Sequence, residues 1–462
     1  MIEHMHNEHS RPDPRKWPPS KIALYAGYAV GAIVLLCVLA LLLFSDALVN
    51  KYIKPRITEA FADAYPAYSL RTSDMHYSLL TNRFGFDSVA LGAADRSFSG
   101  HMGPFSVSGI SWMHLLWGGT LSAGDFASSV LDAQDIVLKL PKSQYEIRCG
   151  AVRVSMSHSE ILVDSLKLHP PGNDEQFFAG SRFRRNRLRL DVPRVTVTGL
   201  GGMEELQEKM YRARFIQIHD ATLDLLLNQD KPDDRDTTGL LMPHELLASI
   251  KGILQIDSLR ISDGRFQYSE RFAMGSKPAV VTFDKLQASA KGITNQGSPG
   301  ASIVIQTQAQ FVKAGTIKLV MTIPVQTREC SFKYSGSLSG MELSALNSFL
   351  EISDHMRIKA GVLEEAAFAV DVVSGRANGT VTGIYRDLKL AAINKETGSE
   401  KGLMDRITSF IGNTFTIRRN NVPGSMKIGT IHRVRLRDDP FFQYEWFALR
   451  TGVQDVLGIS GK

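Results

Sequence analysis

Between Leu254 and Glu270 the chain reads LQIDSLRISDGRFQYSE. Leu259 and Ile261 fall on one side of an extended chain, and after Asp263-Gly264 so do Phe266 and Tyr268. The same period of two recurs for much of the sequence: Val152, Val154 and Met156; Ile161 and Val163; Leu188, Leu190 and Val192; Ile216 and Ile218; Leu223, Leu225 and Leu227; Phe368, Val370 and Val372. Period two gives each strand one apolar face and one wet face. Many such strands with few helices restrict the chain to three solutions: a sandwich, a closed barrel, or a long curved sheet whose apolar face lines a trough.

The three differ in what covers the apolar face. A trough leaving about 1,000 Å² of apolar surface uncovered forgoes about 25 kcal/mol of burial, against a net stability of about 5–15 kcal/mol. Such a face collapses, self-associates or is filled by something oily. The dipeptides Asp263-Gly264, Ala314-Gly315 and Ser374-Gly375 read as turns between strands. Short helices are predicted over 202–213 and 242–253, with Pro243 in the first turn of the second. The order helix, strand, turn, strand suggests a loose internal repeat without a fixed period.

A second feature sets the location. From Ile22 to Phe44 the chain carries no charge. A helix of that length rises about 34 Å, enough for a hydrocarbon core of about 30 Å. The run exceeds a usual signal-peptide core, so an uncleaved anchor is the expectation. Arg11, Arg15, Lys16 and Lys21 precede it, and Lys51, Lys54 and Arg56 follow. The slight bias places a polar tail, residues 1–20, in the cytoplasm and the remainder outside. After the 21–45 span, Leu48, Tyr52, Ile57 and Phe61 form one stripe of a membrane-proximal helix over 46–64, with Pro55 expected to interrupt or kink it.

The formal charge of +6 is mild for 462 residues and does not mark a nucleic-acid binder. Cys149 and Cys330 can pair in an oxidising compartment, but two distant thiols do not make a disulfide framework, and two separate buried thiols are the first reading. The sequence has no G-x-S-x-G, H-E-x-x-H, P-loop or paired C-x-x-C, so no catalytic, cofactor-binding or metal site is expected.

Two stretches, LRLDVPRVTVTGLGGMEELQEKMYRARFIQIHDATLDLLL and LMPHELLASIKGILQIDSLRISDGRFQYSE, resemble the AsmA-like proteins of Gram-negative envelopes. The segments SGRANGTVTGIYRDLKL and GTIHRVRLRDDPFFQYEWFALRTGVQDVLG resemble the C-terminal part of that group. The resemblance covers about half the chain and rests on pattern and turn residues. It implies an inner-membrane anchor, a periplasmic β-groove body (65–400), a C-terminal segment (401–462), and a part in phospholipid transport or outer-membrane lipid homeostasis. The chain is short for a bridge across a periplasm, so a shuttle or one segment of a longer assembly is the expected form.

The expected fold is therefore mainly β: an N-terminal transmembrane helix, then an elongated, curved, antiparallel, taco-like sheet with short helices. Candidate groove-lining residues are Ile216, Ile218, Leu223, Leu225, Leu259, Ile261, Phe266 and Tyr268. Arg182, Arg184 and Arg185, in RFRRNRLRL, are candidates for contacting lipid phosphates, or else a solvated strand edge. Phe442, Trp446, Leu449 and Val453 fall on one face of a C-terminal helix that either caps the groove or meets the membrane interface, or docks on the protein's own sheet. Met404, Ile407, Phe410 and Ile411 suggest a similar short helix. The expected partners are the membrane, a phospholipid or other envelope lipid, and envelope proteins. The rival reading is a non-enzymatic envelope scaffold or regulator with a closed β-sandwich.

Overall fold

The computed structural model describes residues 31–36, 44–110, 123–232, 242–298, 300–325, 329–393, 400–401, 417–436 and 439–459. The polar tail, most of the apolar run, and the helix expected around Met404–Ile411 lie outside these residues. Residues 31–36 and 44–48 are helical, and Ile33, Val34, Leu35, Leu36 and Phe44 are exposed. Among the described residues no helix is long and apolar enough to cross a membrane.

The expectation of a mainly β chain with a long, curved, mostly antiparallel sheet is met. The strands form one 21-stranded sheet. It opens with short pieces: β1 (Tyr68–Thr72), β2 (Met75–Ser78), β3 (Arg83–Phe86), β4 (Val89–Ala93), β5 (Ser99–Met102) and β6 (Phe105–Ser108). Strands β5 and β6 both pair with β7 (Val130–Leu140). A meander follows through β8 (Tyr145–Ser155), β9 (Glu160–His169) and β10 (Asn186–Thr198). Strands β11 (Met210–His219) and β12 (Thr222–Asn228) lie end to end along β10. From β13 (Ile253–Arg271) the meander resumes through β14 (Ala279–Thr294), β15 (Ser302–Phe311), β16 (Gly315–Pro324), β17 (Phe332–Glu342), β18 (Met356–Val373) and β19 (Arg376–Ile393). Two last strands, β20 (Glu400–Lys401) and β21 (Gly429–Val434), pair with β19.

One step is parallel. β11 and β12 both pair with β13, each residue meeting the one 43 positions later, from Met210 with Ile253 to Asn228 with Arg271. A parallel step needs a crossover, and the chain from β12 to β13 includes helix α4. The helices are α1 (Lys54–Ala64), α2 (Asp174–Ala179), α3 (Met203–Gln207), α4 (Pro243–Ser249), α5 (Asn347–Ser353) and α6 (Phe441–Leu457).

Four expectations need correction. Asp263-Gly264 is not a turn between strands: β13 runs straight through it, and Asp263 is a one-residue bulge at φ 54°. Helices α3 and α4 are shorter than expected, because Lys209 at φ 59° ends the first and ladder pairing claims Met210 and Ile253. The segment from 401 is not a separate unit, since β21 extends the sheet and α6 packs on it. Pro55 does not break the membrane-proximal helix. Residues 44–48, a wide π turn (Val49–Ile53) and α1 run on continuously, and the wide turn precedes the proline ring that lacks an N–H. The turns at Ala314-Gly315 and Ser374-Gly375 form as expected, joining β15 to β16 and β18 to β19.

An uncovered apolar face as candidate functional site

The bulge at Asp263 is one of a set. Asp135 in β7, Ser165 in β9, Asp220 between β11 and β12, and Lys285 in β14 all have φ between 49° and 55°. The pairings put them in line: Asp220 N–H donates to Ser262 O at 3.0 Å, and a Cβ on Gly150 would lie 3.2 Å from the Cβ of Ser165. A bulge adds one residue and bends its strand. Aligned bulges therefore bend the sheet along one crease. Each also slips the alternation by one, so Ile216 and Ile218 share a face with Leu223 and Leu225 across the break.

Two apolar rows run across the strands, one on each side of the crease. The first passes through directly paired residues: Tyr77, Phe84, Val107, Leu131, Val154, Ile161, Val197, Ile216, Leu259, Ala290, Ile305, Met321, Tyr334, Val370, Gly379 and Ile431. The second includes Leu138, Ile147, Leu168, Leu190, Leu223, Phe266, Phe283 and Phe311. Opposite these rows the strands carry ions: Arg153 Nε meets Asp132 at 2.6 Å, Arg194 Nε meets Asp164 at 2.7 Å, and His169 meets Asp191 at 2.9 Å. That face is the wet one.

Cover is uneven along the rows. From β16 onward the first row is sealed. Met321, Tyr334, Val370 and Ile431 are buried in one cluster with Met242 beside α4 and with Tyr444, Ala448 and Val456 of α6. The close fit of α6 depends on Gly452, where a Cβ would stand 2.6 Å from Ile431 Cγ1 and 2.8 Å from Val381 Cγ1. The Tyr444 hydroxyl donates to Gly375 O at 3.0 Å. Burial holds the Glu445 carboxyl well above its ordinary value, and its Oε1 has no hydrogen-bond partner. From β2 to β13 the first row is only half-buried. Its first two residues, Tyr77 and Phe84, pack against the Val49, Met75 and Phe86 cluster, and beyond them the buried clusters of the described residues do not extend over it. From β6 to β13 this stretch crosses six strand spacings, about 29 Å at about 4.8 Å each.

Seven of the eight candidate lining residues, Ile216, Ile218, Leu223, Leu225, Leu259, Ile261 and Phe266, are half-buried on this face. Tyr268 is corrected: it is buried with Leu227, Ala279 and Phe349 under α5, and its hydroxyl donates to Glu270 Oε1 at 2.5 Å. Docking of α6 on the sheet uses another face than the one singled out: the docked residues are Tyr444, Ala448, Gly452 and Val456, while Phe442, Trp446 and Val453 stay exposed and Leu449 packs at the flank. Small residues permit the close approach that larger ones prevent. The exposed flank still borders the apolar face, with Phe442 and Phe266 ring centroids 5.4 Å apart and Trp446 edge-on to Phe349 at 6.4 Å.

The arginine cluster is divided. Arg187 is buried between Asp174 (3.1 Å) and Asp224 (2.8 Å), and Arg189 also meets Asp174 (2.7 Å). Arg185 donates to Gln144 Oε1 at 2.7 Å and Ser143 O at 2.9 Å and lies over the Phe177 ring. These ties use two of the five N–H donors of Arg185 and hold its guanidinium against the protein. Arg182 and Arg184 are exposed; Arg182 stacks on Phe183, and Arg184 Nε donates to Lys231 O at 2.8 Å. Cys149 and Cys330 are unpaired, and burial raises both thiols.

Two edge strands, β2 and β21, have backbone groups met by helix side chains, which the sequence reading missed. On β2, Met75 N–H donates to Asn50 Oδ1 at 2.8 Å and Tyr77 N–H to Asp46 Oδ1 at 2.8 Å. Asn50 Nδ2 and Ser45 Oγ donate in turn to Met75 O and Tyr77 O. On β21, Thr430 N–H donates to Asp455 Oδ2 at 2.9 Å and His432 N–H to Thr451 Oγ1 at 3.2 Å. Backbone groups at these positions on an edge strand are the template for adding another strand. No family model and no curated protein matches the chain.

Proposed function

We propose that this protein, anchored in an inner membrane by Ile22–Phe44 with its N-terminus cytoplasmic, shelters lipid acyl chains against the uncovered apolar face on the periplasmic side. It thereby contributes to phospholipid transport or outer-membrane lipid homeostasis, as the AsmA-like resemblance implies. The observation carrying the reading is the first row itself: one line of paired apolar side chains, sealed from β16 onward and half-covered from β6 to β13. The open length of about 29 Å is comparable to the roughly 30 Å spanned by two opposed leaflets of acyl chains. Sheltering is non-covalent and needs no catalytic residue, metal or cofactor. The side-chain caps on β2 and β21 disfavour strand addition at those two strands, which suits a self-contained carrier. The scaffold reading draws on the filled core under α6.

The test is a photoreactive residue placed singly in the full chain, in membranes. Lipid adducts at positions 218 and 261, with none at the outward neighbours 217 and 260, are the expected result. Equal labelling of both faces, or no lipid adduct anywhere, would turn the assignment to the scaffold.

A further inference from the structure

Helix 44–53 runs antiparallel to β2. Ser45 and Asp46 reach Tyr77, Asn50 reaches Met75, and Lys54 reaches Asp74 at 3.2 Å. Ascending the helix therefore descends the strand. The β2–β3 hairpin tip, just after Ser78, must lie beside Phe44, where the apolar run arrives. That tip carries Leu80, 88% exposed. The helix buries Val49 against Met75 and Phe86, and leaves Phe44, Leu48 and Tyr52 exposed at four-residue spacing. Lys51 lies over the Tyr52 ring at 5.3 Å. Aromatic and basic side chains together suit the headgroup level of a bilayer.

We propose that the outer face of this helix (Phe44, Leu48, Tyr52) and the Leu80 tip form one footing that seats on a phospholipid bilayer surface. The partner is identified by position: the exposed apolar side chains gather at the end of the sheet where the 23-residue uncharged run of Ile22–Phe44 joins it. The footing is stiff, because the same helix supplies the caps on the edge strand. His76 adds a clasp, with Nδ1 3.0 Å from Asp46 and Nε2 3.1 Å from Asp87. The first apolar row starts at this footing, with the Tyr77 ring stacked on Phe84 at 4.5 Å. Lipid would thus meet the row just past Tyr77 and Phe84, which pack against the Val49 cluster. The proposal rests on the anchor reading and specifies where lipid enters.

The experiment uses the full chain in vesicles of phosphatidylcholine and phosphatidylglycerol. Leu80→Cys, with Cys37→Ser, is labelled with an environment-sensitive fluorophore. Met274→Cys, an exposed methionine at the opposite ends of the strands, serves as comparison. A nitroxide on the lipid headgroup should quench the Leu80 label several-fold more than the Met274 label, and aqueous iodide should show the reverse order. Equal quenching at the two positions in a carbonate-resistant chain overturns the footing but leaves the carrier reading standing. Release of the chain by carbonate overturns the anchor and the footing together.

Discussion

The middle and the last strand of the first apolar row are built from the same chemistry and end in different states. At Ile431 a β-branched side chain is 1% exposed, pressed between neighbouring strands and α6. At Ile216 the same side chain occupies an equivalent position in the row and is only half-buried. Fully burying such a side chain is worth about 1.5–3 kcal/mol, so each half-covered position leaves part of that unrealised. Alternation specifies which face is apolar. The element lying over that face decides whether it becomes a core or a binding surface.

Substitutions can break or sharpen this contrast. The largest difference is expected from charge. Val370→Asp places an unpaired carboxylate in the sealed cluster and should prevent folding, whereas Ile261→Asp should leave the circular dichroism melt nearly intact and reduce bound lipid; cooperative unfolding by Ile261→Asp would show a closed core there too. Truncation comes next. Ile431→Ala should cost about 3 kcal/mol through the cavity it leaves, and Ile216→Ala about 1 kcal/mol; equal costs in urea melts would erase the distinction. Overpacking at Gly452→Val should cost about 2 kcal/mol and loosen α6, seen as faster amide exchange in 441–457 with β7–β10 unchanged.

The smaller effects depend on pH. Glu445 has its folded-state pKa raised by burial. Burial favours the protonated carboxyl in the folded chain, so stability is lost as pH rises from the ordinary value of 4.5 towards the higher folded one. Glu445→Gln should therefore stabilise the chain at pH 8 and change little at pH 4, and thermal melts at the two values would check this. The smallest effect concerns His76, raised by hydrogen bonds to Asp46 and Asp87. Its contribution is complete below the ordinary value of 6.5 and fades as pH rises through the higher folded value. Amide protection of 44–53 should weaken over that range in the wild type and stay flat in His76→Gln.

Much of this was legible along the chain. The phase slip from Ile216 and Ile218 to Leu223 and Leu225 is visible in the sequence, and an aspartate at the slip tolerates positive φ. Read alone, Asp263-Gly264 looks like a turn. The distinction between bulge and turn is made by β11, β12 and β14, which pair on both sides of it. The arginines of 182–189 look alike in one dimension. Asp174 of α2 and Asp224 of β12 neutralise Arg187, and no spacing rule announces that.

By itself the sequence determined the β class, the apolar face of each strand and a 23-residue uncharged run, because these are local periodicities and compositions. Tertiary structure alone decided the single sheet, the alignment of its bulges, the caps on β2 and β21 and the seating of α6 through Ala448 and Gly452. Those outcomes depend on partners far apart in sequence, such as Asn50 with Met75 and Tyr444 with Gly375. The apolar face was written residue by residue, but its cover had to be supplied by another part of the chain, and α6 reaches only one end.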